Sequence, residues 1–184
     1  MVNYLVKKIC DALVRWCEKT GRIYYITGGE NREAPTVYLV RYLVFKSKLF
    51  SFYIHRFMRS DSDVPHDHPW NFFTYVISGG YKEVFYDRKA YQTNENQTEF
   101  TSLWTRKLNT RLPGSLAYRR ATDIHQVVVD REYEMSEIQE APYTICLIGP
   151  RFRQWGFWKD SATFTDWRQY LKISPTDPAF KGSE

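Results

Sequence analysis

The chain has 184 residues, 26 Lys+Arg against 21 Asp+Glu, a net charge of +5 and a pI near 9.0; 43% of it is hydrophobic and 17% aromatic. That length fits one domain spanning 1–184, able to bury about two-thirds of its unfolded surface, and that apolar content excludes a disordered body. The basic residues are scattered, with Arg88-Lys89 and Arg119-Arg120 the longest clusters, so the charge favours a small anionic partner and leaves nucleic acid as the lesser alternative.

Residues 2–19 place Val2, Leu5, Val6, Ile9, Leu13, Trp16 and Cys17 at helical spacing, and Gly21 supplies a stop, which predicts an amphipathic helix over an N-terminal unit 1–21. Lys7, Lys8, Asp11 and Glu18 make a polar face of mixed sign, so the apolar stripe is expected to cover a sheet rather than a membrane surface. The lysines also interrupt any signal-peptide core. No stretch approaches the roughly 18 apolar residues of a membrane span. A soluble, cytoplasmic protein is the expectation.

Cys10 and Cys17 would lie about 10.5 Å apart along such a helix, too far for a disulfide. With Cys146 in an apolar strand, the three read as reduced, buried thiols of an intracellular protein.

From Arg22 to Trp158 the texture is short β-rich runs. Strands are predicted at Arg22–Thr27, Thr36–Phe45, Leu49–Met58, Asn71–Ser78 and Tyr81–Tyr86, then at Ser115–Arg119, His125–Val129, Tyr143–Ile148 and Gln154–Trp158. Gly28-Gly29-Glu30-Asn31 reads as a loop and Ser78-Gly79-Gly80 as a tight hairpin. The polar stretch Asp87–Thr98 is expected to be an exposed loop. Within 159–184, Thr163–Leu171 is predicted as a short helix and Ser174–Glu184 as a loose tail. The spacing predicts an all-β sandwich or barrel whose exposed strand edges could pair two copies into a homodimer.

Three of the four histidines form one pattern. His66 and His68, at i and i+2 on an extended backbone, face the same way about 6.6–7 Å apart along the strand, within the reach of one metal ion. His125, from a distant strand, would complete a facial triad with open positions for water or substrate. Asp67 would point the opposite way, as a supporting or turn residue. His55, on a preceding strand, is a candidate fourth ligand or supporting group, with a packed strand residue as the alternative.

The chain resembles the cupin superfamily, whose double-stranded β-helix carries two motifs. The first is His-x-His, three or four residues, Glu, six residues, Gly: His66 and His68 match it, as does Gly79 or Gly80, but Phe72 or Phe73 stands where the glutamate belongs. The second is Gly, five residues, Pro-x-Gly, two residues, His: Gly114 and His125 keep its register while Arg120 and Thr122 replace Pro and Gly. A looser likeness, through His68-Pro69-Trp70 and Gly149–Phe157, is to small cupin-like proteins of phage and bacterial genomes, which would place the chain in a host cytoplasm if viral.

The resemblance implies a β-barrel with a carboxylate-free, three-histidine divalent metal site. Iron(II) is favoured because three-histidine cupins resemble thiol dioxygenases and related oxygenases; zinc, manganese and nickel are alternatives. It implies an oxygenase acting on a small anionic molecule, with a metal-dependent isomerase or lyase as one alternative and a non-catalytic ligand-binding or host-interaction protein as another. In thiol dioxygenases an arginine holds the substrate carboxylate. Arg119, Arg120, Arg151 and Arg153 are the candidates, and strand alternation allows at most one of Arg119 and Arg120 to face the cavity.

Overall fold

The computed structural model describes residues 2–28, 36–61, 64–94, 97–159 and 163–171. Helix α1 (Val2–Lys19) leads into β1 (Ile23–Gly28), β2 (Thr36–Lys46), β3 (Ser51–Phe57), β4 (Phe72–Ser78), β5 (Tyr81–Asn94) and β6 (Gln97–Arg111). There follow β7 (Leu116–Arg119), β8 (His125–Val128), β9 (Tyr143–Ile148), β10 (Gly156–Trp158), β11 (Phe164–Asp166) and a one-turn helix α2 (Trp167–Tyr170). One sheet has the order β1-β2-β3-β9-β4-β7, a second β6-β5-β8, and β10 and β11 form a short pair. Strand β9 inserts between β3 and β4, antiparallel to both, so distant segments interleave as in a jelly roll.

Alternation along the strands sorts the two faces of the larger sheet. Val40, Tyr42, Ile54 and Tyr143 pack outward against Cys10, Val14 and Cys17 of α1, at about 1.5–3 kcal/mol for each large side chain fully buried. The helix thus covers the sheet as expected, but through Val6, Cys10, Leu13, Val14 and Cys17, while Leu5, Ile9 and Trp16 of the predicted stripe are exposed; all three cysteines are free and buried. Phe72, Cys146 and Ile148 pack on the opposite, inner face. None of the described helices is long and apolar enough to cross a membrane.

Three expectations change. Ser78-Gly79-Gly80 is not a hairpin: β4 pairs with β7 and β9 while β5 pairs with β6 and β8, so the turn carries the chain from one sheet to the other. Glycine is needed there because Gly79 has φ 73° and a Cβ on it would meet Pro142 Cα at 2.9 Å. The stretch predicted as a loop at 87–98 is mostly strand, with β5 and β6 in register from Tyr81↔Arg111 to Asn94↔Gln97. The stretch is polar, rich in Asn, Gln, Thr and Glu, and lacks the apolar alternation by which a strand is read. Thr163–Leu171 divides into β11, paired with β10, and only one turn of helix, whose Asp166 side chain accepts from Arg168 N–H. Residues 29–31 of the predicted glycine loop and the predicted tail at 174–184 lie outside the described residues.

Candidate metal centre

His66 and His125 meet through their main chains first. His66 N–H donates to His125 O (3.1 Å) and His125 N–H to His66 O (3.0 Å). An antiparallel pair that exchanges both bonds sets its side chains on one face with Cα atoms about 5.5 Å apart. His68 returns to that face two residues on, held by its N–H to Ala121 O (3.1 Å). The three ring centroids form a nearly equilateral triangle of 5.0, 5.1 and 5.0 Å sides. One potential ligand nitrogen from each ring lies within 4.8 Å of the others, and His68 Nε2 is 2.7 Å from His125 Nε2.

Burial, together with the neighbouring His125, brings His66 down to about 3 despite the opposing pull of Glu83. Burial and the adjacent histidines hold His68 well below the ordinary imidazole range. Both rings are therefore neutral at neutral pH, with lone pairs free to bind.

Behind His125 stands Glu83, which the motif reading missed. Its Oε1 accepts from His125 Nδ1 (2.7 Å) and from Arg119 Nε (2.7 Å), while Oε2 accepts from Arg111 Nε (3.0 Å) and closely from Arg119 Nη2. Burial pushes this carboxyl up, but the hydrogen bonds and charges of Arg119 and His125 outweigh it and keep Glu83 ionised. The bond assigns the Nδ1 proton to His125 and leaves Nε2 as the nitrogen that faces the other rings. The clustered ligand atoms are those of three histidines with no carboxylate among them, as expected, and Phe72 occupies the motif position; a carboxylate from β5 supports one of the histidines from behind. A signal existed in the alternation Tyr81-Lys82-Glu83, where Tyr81 and Glu83 are buried and Lys82 reaches Asp130.

Asp67 points away from the rings. It is 1% exposed and accepts from Gly156 N (2.9 Å), Trp158 Nε1 (3.3 Å) and Arg153 Nη1 (3.0 Å), fastening the His-x-His segment to β10. Arg153 also donates to His68 O (3.0 Å) and Ala121 O (2.8 Å), so it braces the segment. Arg120 is exposed on a turn, its N–H on Asp123 Oδ2 (2.9 Å), and Arg151 reaches Gln154 Oε1 (3.4 Å). None of Arg120, Arg151 and Arg153 lines the cavity, and Arg119 is buried on Glu83.

The cavity, about 90 Å³, opens in front of the histidines between the two sheets. Leu39, Phe57, Phe72, Val127 and Ile148 give it apolar walls, and Arg41 supplies its guanidinium. Arg41 stands opposite His55 in register and its Nε donates to His55 Nε2 (3.3 Å). Burial, then the Arg41 charge, holds His55 well below the ordinary range, so it is a neutral acceptor. His55 lines the cavity but is not one of the clustered triad. Among the described residues Arg41 pairs with no carboxylate. On the far side Trp155 stacks on His68 (6.3 Å, 9°) and Trp167 on Trp155 (5.6 Å, 10°), sealing the histidines from behind.

No protein-family model and no curated protein matches the chain. Similar solved structures include a cupin 2 conserved barrel domain protein from Rhodopseudomonas palustris, at 12% identity and TM-score 0.46 over 71% of this chain and 74% of that one. Others are the DMSP lyase DddQ from Ruegeria pomeroyi DSS-3 (12%, TM-score 0.41, 66% and 50%) and FeII HppE (11%, TM-score 0.41, 68% and 55%). The chain spans about half the length of these last two. Strand order and histidine register, taken from the molecule itself, describe the fold. It is a jelly-roll-like barrel of interleaved antiparallel strands that carries three clustered histidines.

The donor set of this barrel fits a divalent ion. Three imidazoles supply the nitrogens, one potential ligand atom from each lying within 4.8 Å of the others. His66 Nδ1 is moreover buried without a hydrogen-bond partner, with Asp61 Oδ2 no nearer than 3.8 Å.

Proposed function

We propose that His66, His68 and His125 hold one divalent metal ion, iron(II) before zinc, manganese or nickel, and that the barrel is an oxygenase acting on a small anionic substrate. The observation that carries this reading is the convergence of three imidazoles, His125 buried and His66 and His68 partly buried, on a cavity lined by a guanidinium, Arg41, that pairs with no carboxylate among the described residues. The choice of iron rests on the resemblance to three-histidine cupins, since imidazole suits all four metals. When bound, such an ion supplies Lewis-acid and dioxygen chemistry at its open positions.

The chain's own residues do the rest. Glu83 holds the Nδ1 proton of His125 and orients the ring, the task carboxylates perform behind metal-ligating histidines. Arg41 receives the anionic group of the substrate, and His55, by accepting from Arg41 Nε, aims the remaining guanidinium N–H groups into the cavity. Leu39, Phe57, Phe72 and Ile148 exclude water and limit the substrate to a few heavy atoms beyond its charged group.

Elemental analysis after anaerobic purification tests the reading, with one metal ion per chain expected and none in the His66→Ala/His125→Ala double variant. Absence of stoichiometric metal from the wild type would overturn it and favour a non-catalytic ligand-binding barrel. Oxygen-electrode traces of iron-loaded protein with small carboxylates then separate an oxygenase, which consumes dioxygen with substrate, from an isomerase or lyase, which does not.

A further inference from the structure

Among the described residues, only half of the outer face of the larger sheet is covered. Helix α1 packs on Val40, Tyr42, Ile54 and Tyr143, but beyond it the register lines up an uncovered apolar row. Phe45 stands opposite Phe52, Phe52 opposite Leu147, Leu147 opposite Phe73, and Phe73 opposite Tyr118, a band crossing β2, β3, β9, β4 and β7. Antiparallel sheets that face water carry polar residues at such positions. Here Phe45 is 48% exposed, Phe73 46%, Tyr118 46% and Leu147 39%. The band is continuous: Phe73 and Tyr118 rings lie 4.8 Å apart, and Phe45, Phe50, Phe52, Ile145 and Leu147 line a shallow apolar groove at its other end.

We propose that this band is the interface of a homodimer, in which two copies stack their larger sheets face to face. The area argues for it. Taking about 150–250 Å² for a whole aromatic side chain, the exposed parts of the band with the flanking Leu49 and Leu116 amount to roughly 700–800 Å² per copy. A stable interface buries about 800 Å² per partner, whereas scattered apolar residues on a monomer form smaller patches. The composition argues for a second copy over another kind of partner. The five cross-strand positions carry no charge and one polar atom, the Tyr118 hydroxyl, so they offer little to recognise a charged ligand and match an equally apolar surface. A twofold pairing of a patch with itself is the commonest closed assembly. The interface differs from the edge-to-edge pairing expected from sequence, and it stands independently of the metal reading.

Light scattering coupled to size-exclusion chromatography, with sedimentation velocity over a 100-fold concentration range, tests the proposal. The wild type is expected at twice the 22.0 kDa chain mass. Leu147→Lys, at the centre of the band, places two like charges in the apolar interface and is expected to give the monomer mass, with dissociation at least 100-fold easier and an unchanged circular dichroism spectrum. Phe45→Lys, on a different strand at the edge of the band, is expected to weaken the dimer in the same direction and serves if Leu147→Lys fails to fold. A wild type that stays monomeric across the range overturns the proposal. So does a dimer that folded Leu147→Lys, or folded Phe45→Lys where the first does not fold, leaves at wild-type strength.

Discussion

Glu83 Oε1 lies 2.7 Å from His125 Nδ1, and Arg119 and Arg111 hold the same carboxylate from its other sides. A buried carboxylate in this position fixes which nitrogen of His125 carries the proton and raises the basicity of the other. Glu83→Gln keeps the shape and one acceptor but removes the charge. Divalent metal affinity, read by competition with a chromophoric chelator, is expected to fall about 10–100-fold. An affinity equal to wild type would deny Glu83 any influence on the ligand.

Arg41 is the cavity residue expected to select the substrate. Hydrogen bonds to charged groups contribute about 1.5–3 kcal/mol, so Arg41→Gln should weaken acetate binding roughly 10–150-fold while the bound metal is retained. Arg41→Lys keeps a charge but loses the fork and should fall between the two. Arg120→Ala and Arg151→Ala, outside the cavity, are expected to bind acetate as wild type does. The cobalt-substituted protein's visible spectrum reports both metal and anion. Equal acetate affinity in Arg41→Gln would remove this residue from the substrate site.

Metal-free protein should be acid-sensitive in a defined window. His55, His66 and His68 are all held below the imidazole value of 6.5 in the fold, with His66 at about 3, burial being the largest cause in each. Below 6.5 the unfolded chain therefore binds protons that the native state refuses. The sign follows: stability is fully present above 6.5 and is lost as pH falls from there toward 3. Urea midpoints of the metal-free protein should drop steadily between pH 7 and 5, and a flat profile over that range would contradict buried neutral imidazoles.

The parts of this molecule that were legible in the sequence are those whose geometry is local. His66 and His68 share a face because a strand has period two, and α1 is visible because its apolar residues recur every three or four positions before Gly21. That His125 joins His66 and His68 was readable through motif spacing. What the sequence withheld depends on partners brought together by strand order. Arg41 faces His55 only because β2 and β3 pair in that register, and Glu83 reaches His125 only because β5 lies beside β8. The glycines at 79 and 80 looked alike for a hairpin and for a change of sheet. The stretch 87–98 of β5 and β6 read as a loop because its run of Asn, Gln, Thr and Glu carries no apolar alternation.

Asp67 separates positioning from ligation within the same tripeptide. Its carboxylate is the anchor for Gly156 N, Trp158 Nε1 and Arg153, all on the chain that closes the barrel behind the histidines. Asp67→Ala would leave the Gly156 N–H buried without its acceptor and Arg153 without its carboxylate, losses worth about 3 kcal/mol together. Asp67→Asn retains an acceptor for Gly156 N and should cost less than half as much. Equilibrium urea unfolding of the metal-free proteins gives both values. Because Arg153 also grips His68 O and Ala121 O, the segment should stay in place in Asp67→Asn and its metal affinity should change by less than about threefold, far less than in Glu83→Gln. Equal metal loss in the two variants would mean that the triad responds to any disturbance of its surroundings rather than to the carboxylate behind His125.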